Sequence, residues 1–382
     1  MNPDRMRELV QELVYARGPS GQEEEVRDIV LRELKAVADR TWVDDAGNAV
    51  GLLRAAPGRK RRSSAPDRPA PPVIRVMAHM DEIALSVKRV EPDGTLRVRS
   101  VGGLRPWLIG MGPVDILGDG GILPGVLSMG PIHTSEETPA VWKSKKDGKD
   151  KSSDWDQVFV VTRLAADALA AAGVHAGTRV ALARSRRALV DVGDCIAGYF
   201  LDDRVCLAVM LGAAGLLRAA KRRPANDVYL VGTCMEEVGG ASAAWAAAKL
   251  PGTVALAVDV GPTAAEYGTR LTADPIIAYR DRKALYARSV SDRLMTLGRE
   301  LGMNPQAATF ESYGSDASLA KAVGIAPLAG LLCVPTEGTH GFEIVPKAGI
   351  EACARLLAAY LESPVPPASP AGRSSGKRGG KS

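Results

Sequence analysis

Glu236 and Glu237 stand side by side just after an apolar run that ends at Cys234. Adjacent carboxylates in such a place repel one another and are costly to desolvate, so the pair needs a compensating positive charge. Functional groups of an open α/β sheet gather outside the carboxyl ends of the strands. His79 with Asp81 follows the run Val73–Ala78, and Asp259 follows Val258. A further acidic pair, Asp202-Asp203, opens a helical stretch, and His340 sits in the loop Pro335 to Glu343. Singly, each has an ordinary reading: a satisfied core histidine, a turn aspartate, a surface glutamate, or an Asp N-cap that accounts for one of the 202–203 pair. Jointly they answer to a divalent cation, which makes crowded carboxylates favourable. Two His and three Asp or Glu suit zinc, cobalt or manganese. With Glu237 as a ligand, Glu236 is held close to the same ion and can take a proton from metal-bound water whose pKa has fallen to about 7. That is hydrolysis of an amide or a similar acyl bond.

The elements that must position these groups alternate along the chain. Met6 to Ala38 has helical period, broken at Gly18-Pro19-Ser20-Gly21, where Ser20 and Glu23 have the spacing of a capping box. Ala49 to Leu53 and Val73 to Ala78 read as strands. From about Ser86 to Leu189 the texture changes to short strands punctuated by glycine, with a helix only at Leu164 to Ala172. Strand and helix then alternate: helices at Asp203–Ala220, Ala241–Lys249, Tyr286–Leu301, Asp316–Val323 and Lys347–Leu361, with strands at Asp227–Cys234, Thr253–Val258 and near Ala307–Phe310. The fold class is therefore α/β, a mainly parallel sheet flanked by helices and interrupted by a small β-rich domain. The expected division is a catalytic α/β domain in two parts, 1–85 and 191–363, an inserted β-rich domain at 86–190, and a disordered basic tail at 364–382.

Composition narrows the function class. Aromatic residues are only 4% of the 382, which argues against gripping sugars or bases by stacking. The net charge of +5 is misleading, because the loop residues Arg59, Lys60, Arg61, Arg62 and Arg68 against Asp67 carry +4 and the tail residues Arg373, Lys377, Arg378 and Lys381 another +4. The remainder is −3. A solubilising loop and tail is favoured over a nucleic-acid or membrane surface. Cys195, Cys206, Cys234, Cys333 and Cys353 show no CxxC spacing and read as reduced core thiols. The N-terminus lacks a signal-like apolar segment and no run reaches membrane-spanning length, so a cytoplasmic protein is expected.

Six motifs in order, His79-Met80-Asp81, Leu201-Asp202-Asp203-Arg204, Glu236-Glu237-Val238-Gly239, Val258-Asp259, Gly314-Ser315-Asp316-Ala317 and the closing His340, resemble the signature of the glutamyl aminopeptidase family, which includes the tetrahedral and deblocking aminopeptidases. The resemblance runs from Gly18 to Glu343. It implies a zinc-peptidase-like fold with a co-catalytic pair of divalent ions, zinc before cobalt or manganese, in which Asp202 bridges, His79 and Asp259 hold one ion, and Glu237 and His340 hold the other. Glu236 is the implied general base, acting on a metal-bridging water, and Asp81 the acid that orients His79. The β-rich insert, PDZ-like or barrel, is implied to serve in dimerisation and in assembly into a twelve-subunit homo-oligomer that admits short peptides. The chain departs from the family at Thr336-Glu337-Gly338-Thr339-His340, where an Arg and a Tyr usually precede the His, and at Gly239-Gly240-Ala241-Ser242. The basic loop 59–72 and the Lys-rich insertion Trp142 to Asp154 are also foreign to it, and His133 and His175 are not read as ligands.

The expected activity is removal of N-terminal residues from short peptides. An N-acyl amino acid or peptide deacylase could use the same metals, and a non-catalytic metal-binding scaffold is the third reading. A glycosidase is disfavoured, because its paired carboxylates must flank a bond about 5 to 9 Å apart.

Overall fold

The computed structural model describes residues 3–56, 73–131 and 155–364. The basic loop 59–72, the Lys-rich insertion 142–154, His133 and the C-terminal tail beyond residue 364 lie outside the described residues.

Strands are numbered along the chain. The first are β1 (Arg40–Val43), β2 (Ala49–Leu53) and β3 (Ile74–His79). Next come β4 (Ala84–Val90), β5 (Leu96–Val101), β6 (Gly112–Gly118), β7 (Gly121–Ser128), β8 (Phe159–Val161) and β9 (Arg179–Leu182). The remainder are β10 (Val190–Val192), β11 (Cys195–Tyr199), β12 (Val228–Thr233), β13 (Val254–Pro262), β14 (Ile276–Arg280), β15 (Gln306–Thr309), β16 (Leu328–Thr336) and β17 (Phe342–Pro346). Eight of them form one sheet in the order β1-β2-β12-β3-β13-β16-β14-β15. The centre, β12-β3-β13-β16, is parallel throughout, whereas β2 joins β12, and β14 joins β16, antiparallel.

The alternation of side chains explains the two helical layers. Ile74, Val76 and Ala78 of β3, with Leu230 and Leu256, face a core built with helices 3–15, 24–37, 201–219, 288–300 and 347–362. Met77, Val231, Ala255 and Ala257 face the other side, under helices 241–249 and 316–322. Arg75, buried in β3, donates to Ala247 O and Gly252 O and so caps the carbonyl end of helix 241–249 with a cation, where the helix dipole favours one.

Between β3 and β10 the strands β4-β5-β8-β7-β6-β9 close into a barrel around its own apolar core, which includes Leu85, Val98, Ile116 and Val180. Among the described residues no helix is long and apolar enough to cross a membrane.

Three sequence expectations require correction. The Ser20–Glu23 capping box does not form: helix 24–37 has no side-chain cap, and Ser20 turns instead to Asp81. Asp259 is not beyond a strand end, because β13 continues to Pro262. The third is an omission: the sequence pattern assigns no element to Leu328–Thr336, which is a central, buried strand. Its Ala, Gly and Leu residues carry little β propensity of their own, and burial between β13 and β14 decides their conformation. The short strand β17 likewise occupies what reads as loop before the last helix.

Candidate metal centre

The site is assembled where β3, β12, β13 and β16 present their carboxyl ends. His79 is the last residue of β3 and is 3% exposed. Its Nδ1 lies 3.1 Å from the carbonyl oxygen of Asp81 and its Nε2 lies 3.1 Å from Asp202 Oδ1. With Nδ1–H donated to that carbonyl, Nε2 presents its lone pair toward Asp202, and a proton and a divalent cation compete for it.

Asp202 arrives from the opposite side, at the start of helix 201–219, whose first residues Asp202 and Asp203 depart from helical dihedrals. The backbone N–H of Asp202 donates to Glu343 Oε2 at 2.8 Å, so β17 fixes the carboxylate's approach. Asp203 is not the helix cap that the sequence suggests. It accepts a hydrogen bond from the backbone N–H of His79 at 3.0 Å, and its Oδ1 is buried without a hydrogen-bond partner.

Glu236 and Glu237 are held by Asp81. Its Oδ1 accepts from the Glu236 N–H at 2.9 Å, and its Oδ2 accepts from the Glu237 N–H at 3.2 Å and from the Ser20 hydroxyl at 2.7 Å. Asp81 therefore orients both His79 and the acidic turn. His340 approaches from the segment between β16 and β17 with a left-handed backbone, φ 58°, and its Nε2 lies 3.3 Å from Glu237 Oε2 and 3.8 Å from Asp202 Oδ2.

Two groups of donor atoms result, each within 4.8 Å of one another: His79, Asp202, Asp203 and Asp259 in one, Asp202, Glu237 and His340 in the other. Asp202 belongs to both. All five residues read from the sequence as ligands are thus brought together, with Asp81 and Glu236 adjoining them.

The electrostatics of this cluster are those of a site built around cations. Burial, with the charge of Asp202, pushes Asp259 up to about 7. Burial also lifts Asp203, Glu236, Glu237 and Glu343 well above the usual carboxylate range. Burial is the largest influence on Asp202 and raises it, but the hydrogen bond with His79 and the charges of His79 and His340 together hold it below the usual carboxylate range, and Asp203, Asp202 and Asp81 raise His79 against its own burial. Too many carboxylates share too few imidazoles here. Divalent cations fit that imbalance and the donor types, mixed His nitrogen and carboxylate oxygen.

The cluster opens into a cleft of about 400 Å³ that Gly103 of the barrel side, Tyr313 and the cations Arg282 and Lys283 also line. The sequence reading missed Asp203, Glu343, Arg282, Lys283 and Tyr313. Only Asp203 left a signal, as the second carboxylate of its pair. Asp316 was singled out without a role. It is buried at the start of helix 316–322, accepts from the Thr233 hydroxyl, keeps its Oδ1 without a hydrogen-bond partner, and is pushed by burial up to about 6. His175, not read as a ligand, lies at the surface.

Known aminopeptidases resemble this chain in sequence and fold. Lysyl aminopeptidase of Pyrococcus furiosus is 29% identical over 257 residues, which is 66% of this chain and 66% of that protein. The aminopeptidase APDkam598 from the archaeon Desulfurococcus kamchatkensis superposes with a TM-score of 0.81 at 26% identity, over 94% of this chain and 95% of its own. The Pyrococcus horikoshii TET1 peptidase, which can assemble into a tetrahedron or a large octahedral shell, superposes with a TM-score of 0.77 at 25% identity, over 93% and 99%. The family model of M42 glutamyl aminopeptidases matches residues 64–356, most of the 382, and the chain therefore belongs to that family of metal-dependent peptidases.

Proposed function

We propose that the protein is a two-metal aminopeptidase that releases N-terminal residues from short peptides. The observation that carries this reading is Asp202, a single carboxylate within reach of two separate groups of His and acidic donors. His79 and Asp259, with Asp203 behind them, would hold one ion together with Asp202, and Glu237 and His340 the other. The donor set suits zinc first, and cobalt or manganese next. When bound, such ions supply Lewis acidity to a peptide carbonyl and lower the pKa of water toward neutrality.

The remaining work falls to the chain's own residues. Glu236 lines the cleft beside Glu237, and its carboxylate makes no hydrogen bond among the described residues, so it is free to take a proton and pass it to the departing amine. Asp81 fixes the Glu236 backbone and the His79 ring at once.

We further infer that the barrel segment, within 86–190, serves in self-association, a reading supported by the assemblies that the TET1 relative forms. All five cysteines are buried and unpaired, which supports a reducing compartment such as the cytoplasm.

Purified protein should contain about two divalent ions per chain, lose activity in a chelator, and hydrolyse free aminoacyl anilides while leaving their N-acetylated forms intact. Absence of bound metal, or activity that survives chelation, would sink the metal assignment. Faster turnover of the acetylated substrates would make it a deacylase.

A further inference from the structure

Two buried polar residues between the first two helices, Ser20 and Glu23, have no part in holding a metal. They are 1% and 2% exposed. Their spacing is that of a capping box, yet helix 24–37 has no side-chain cap, and both side chains turn toward the acidic turn that carries Glu236. The Ser20 hydroxyl donates to Asp81 Oδ2 at 2.7 Å. Glu23 Oε1 accepts from the Gly21 N–H at 2.7 Å and from the Met235 N–H at 3.2 Å.

Consecutive amides of the turn are therefore held by side chains from the N-terminal part of the chain. The Cys234 N–H donates to Asn48 Oδ1 at 3.1 Å, the Met235 N–H to Glu23, and those of Glu236 and Glu237 to Asp81. Met235 has a left-handed backbone, φ 54°. A residue with a Cβ is strained there and stays only where its surroundings hold it. That conformation sets the direction in which the chain leaves β12, and with it the direction of Glu236, which lines the cleft. A Met235 relaxed to negative φ would carry Glu236 elsewhere. Burying the Glu23 carboxyl is costly in itself, and Arg27 Nη2 stands 3.9 Å from its Oε2, beyond hydrogen-bond reach. What the side chain contributes in return is the acceptor for the strained residue before the base.

We propose that Ser20 and Glu23 are positioning residues for Glu236: Glu23 fixes the left-handed Met235, and Ser20 fixes Asp81, which holds the next two amides. The inference rests on the aminopeptidase reading above and deepens it. Neither residue touches substrate. They act by keeping the Glu236 carboxylate where it can take a proton.

The test compares three substitutions at Glu23 and one at Ser20, with a neutral aminoacyl p-nitroanilide as substrate. Glu23→Met removes the acceptor at nearly the same volume and should lower kcat about ten- to hundred-fold, the scale of a displaced catalytic group, with KM near native. Glu23→Asp keeps the charge but stops one methylene short of the Met235 amide. It carries the same expectation and serves where Glu23→Met does not fold. Glu23→Gln keeps an oxygen at the place of Oε1 and should restore most of the turnover. Ser20→Ala should lower kcat about five-fold, the equivalent of one hydrogen bond. Bound metal should match the native content in every variant. Hydrogen exchange across residues 233–240, followed by mass spectrometry, should be faster in Glu23→Met or Glu23→Asp and close to native in Glu23→Gln.

Folded Glu23→Met or Glu23→Asp enzyme with native kcat, whatever its stability, would overturn the proposal. So would a Glu23→Gln enzyme as slow as the other two, because the charge and not the acceptor would then matter. Native exchange across the turn in all variants would overturn it as well. If the native enzyme hydrolyses no peptide or anilide, the aminopeptidase reading falls and the role in turnover with it, while the exchange comparison still decides whether Glu23 holds the turn.

Discussion

Replacing Glu82 with Gln removes the anion from a wholly buried cluster of three charges. Glu82, Arg187 and Arg204 are each 0% exposed. Glu82 Oε1 accepts from Arg187 Nη2 at 2.6 Å, and Oε2 accepts from Arg187 Nη1 at 2.9 Å and from Arg204 Nη2 at 2.7 Å. A Gln amide at this place has one oxygen to offer, and its NH₂ points at guanidinium donors. Two cations then stand in the interior without the carboxylate that bridged them. Breaking a buried ion pair by removing one partner costs about 3–5 kcal/mol. Against a total stability of about 5–15 kcal/mol this is a large fraction, and for a folding unit of about 150–250 residues it lowers Tm by roughly 10 °C. Arg204→Met should cost less, since it leaves the Glu82–Arg187 pair neutral. The assay is thermal unfolding followed by circular dichroism, with urea midpoints for each variant and for the double mutant. A loss below about 1 kcal/mol for Glu82→Gln, or a larger loss for Arg204→Met, would refute the charge argument. The cluster also ties Met80 O, through Arg204, to the helix that carries Asp202, so metal retention should fall together with stability.

Three other outcomes follow from particular contacts. Glu236→Gln should keep its bound metal and lose about 10²–10⁴ in kcat; unchanged turnover would remove Glu236 from proton transfer. Gly18→Ala should destabilise by about 1–3 kcal/mol, the usual range for overpacking. The added Cβ would lie 2.8 Å from Arg204 Nη2, 2.9 Å from Val26 Cγ2 and 3.0 Å from Met80 O, so a neutral result in chemical denaturation would mean that this junction is looser than described. Burial pushes the Cys234 thiol up to about 12, so at pH 8 the native protein should resist alkylation at Cys234 and react there only once unfolded. Rapid labelling of Cys234 in the native state would contradict its burial.

The ligand positions were legible because each is tied to a local pattern. His79 closes a β-branched run, Glu236 and Glu237 follow another, and Asp202-Asp203 opens a helix, so the chemistry announces itself as polar residues at apolar boundaries. The apolar runs of β3, β12 and β13 showed a mostly parallel sheet by the same logic. What escaped has no such local mark. The strand β16 is rich in Ala, Gly and Leu and becomes a strand through its neighbours. Glu343 reads as one more surface acid until β17 pairs with β11 and places its carboxylate against the Asp202 N–H. Ser20 and Glu23 have a capping spacing, yet Asp81 competes for the Ser20 hydroxyl from 61 residues away and wins.

The sequence by itself determined most of the side chains that could hold divalent ions, that His79 and the Glu236-Glu237 pair would stand at strand ends, and that a β-rich segment would interrupt the α/β part. Hydrophobic periodicity and residue chemistry are properties of short stretches, and short stretches suffice to reveal them. Only the tertiary structure decided that Asp202 stands between two donor groups, that Asp203 turns inward instead of capping its helix, and that Arg282 and Lys283 face the cleft. Those are distances between segments far apart along the chain, and they are set by how the layers pack.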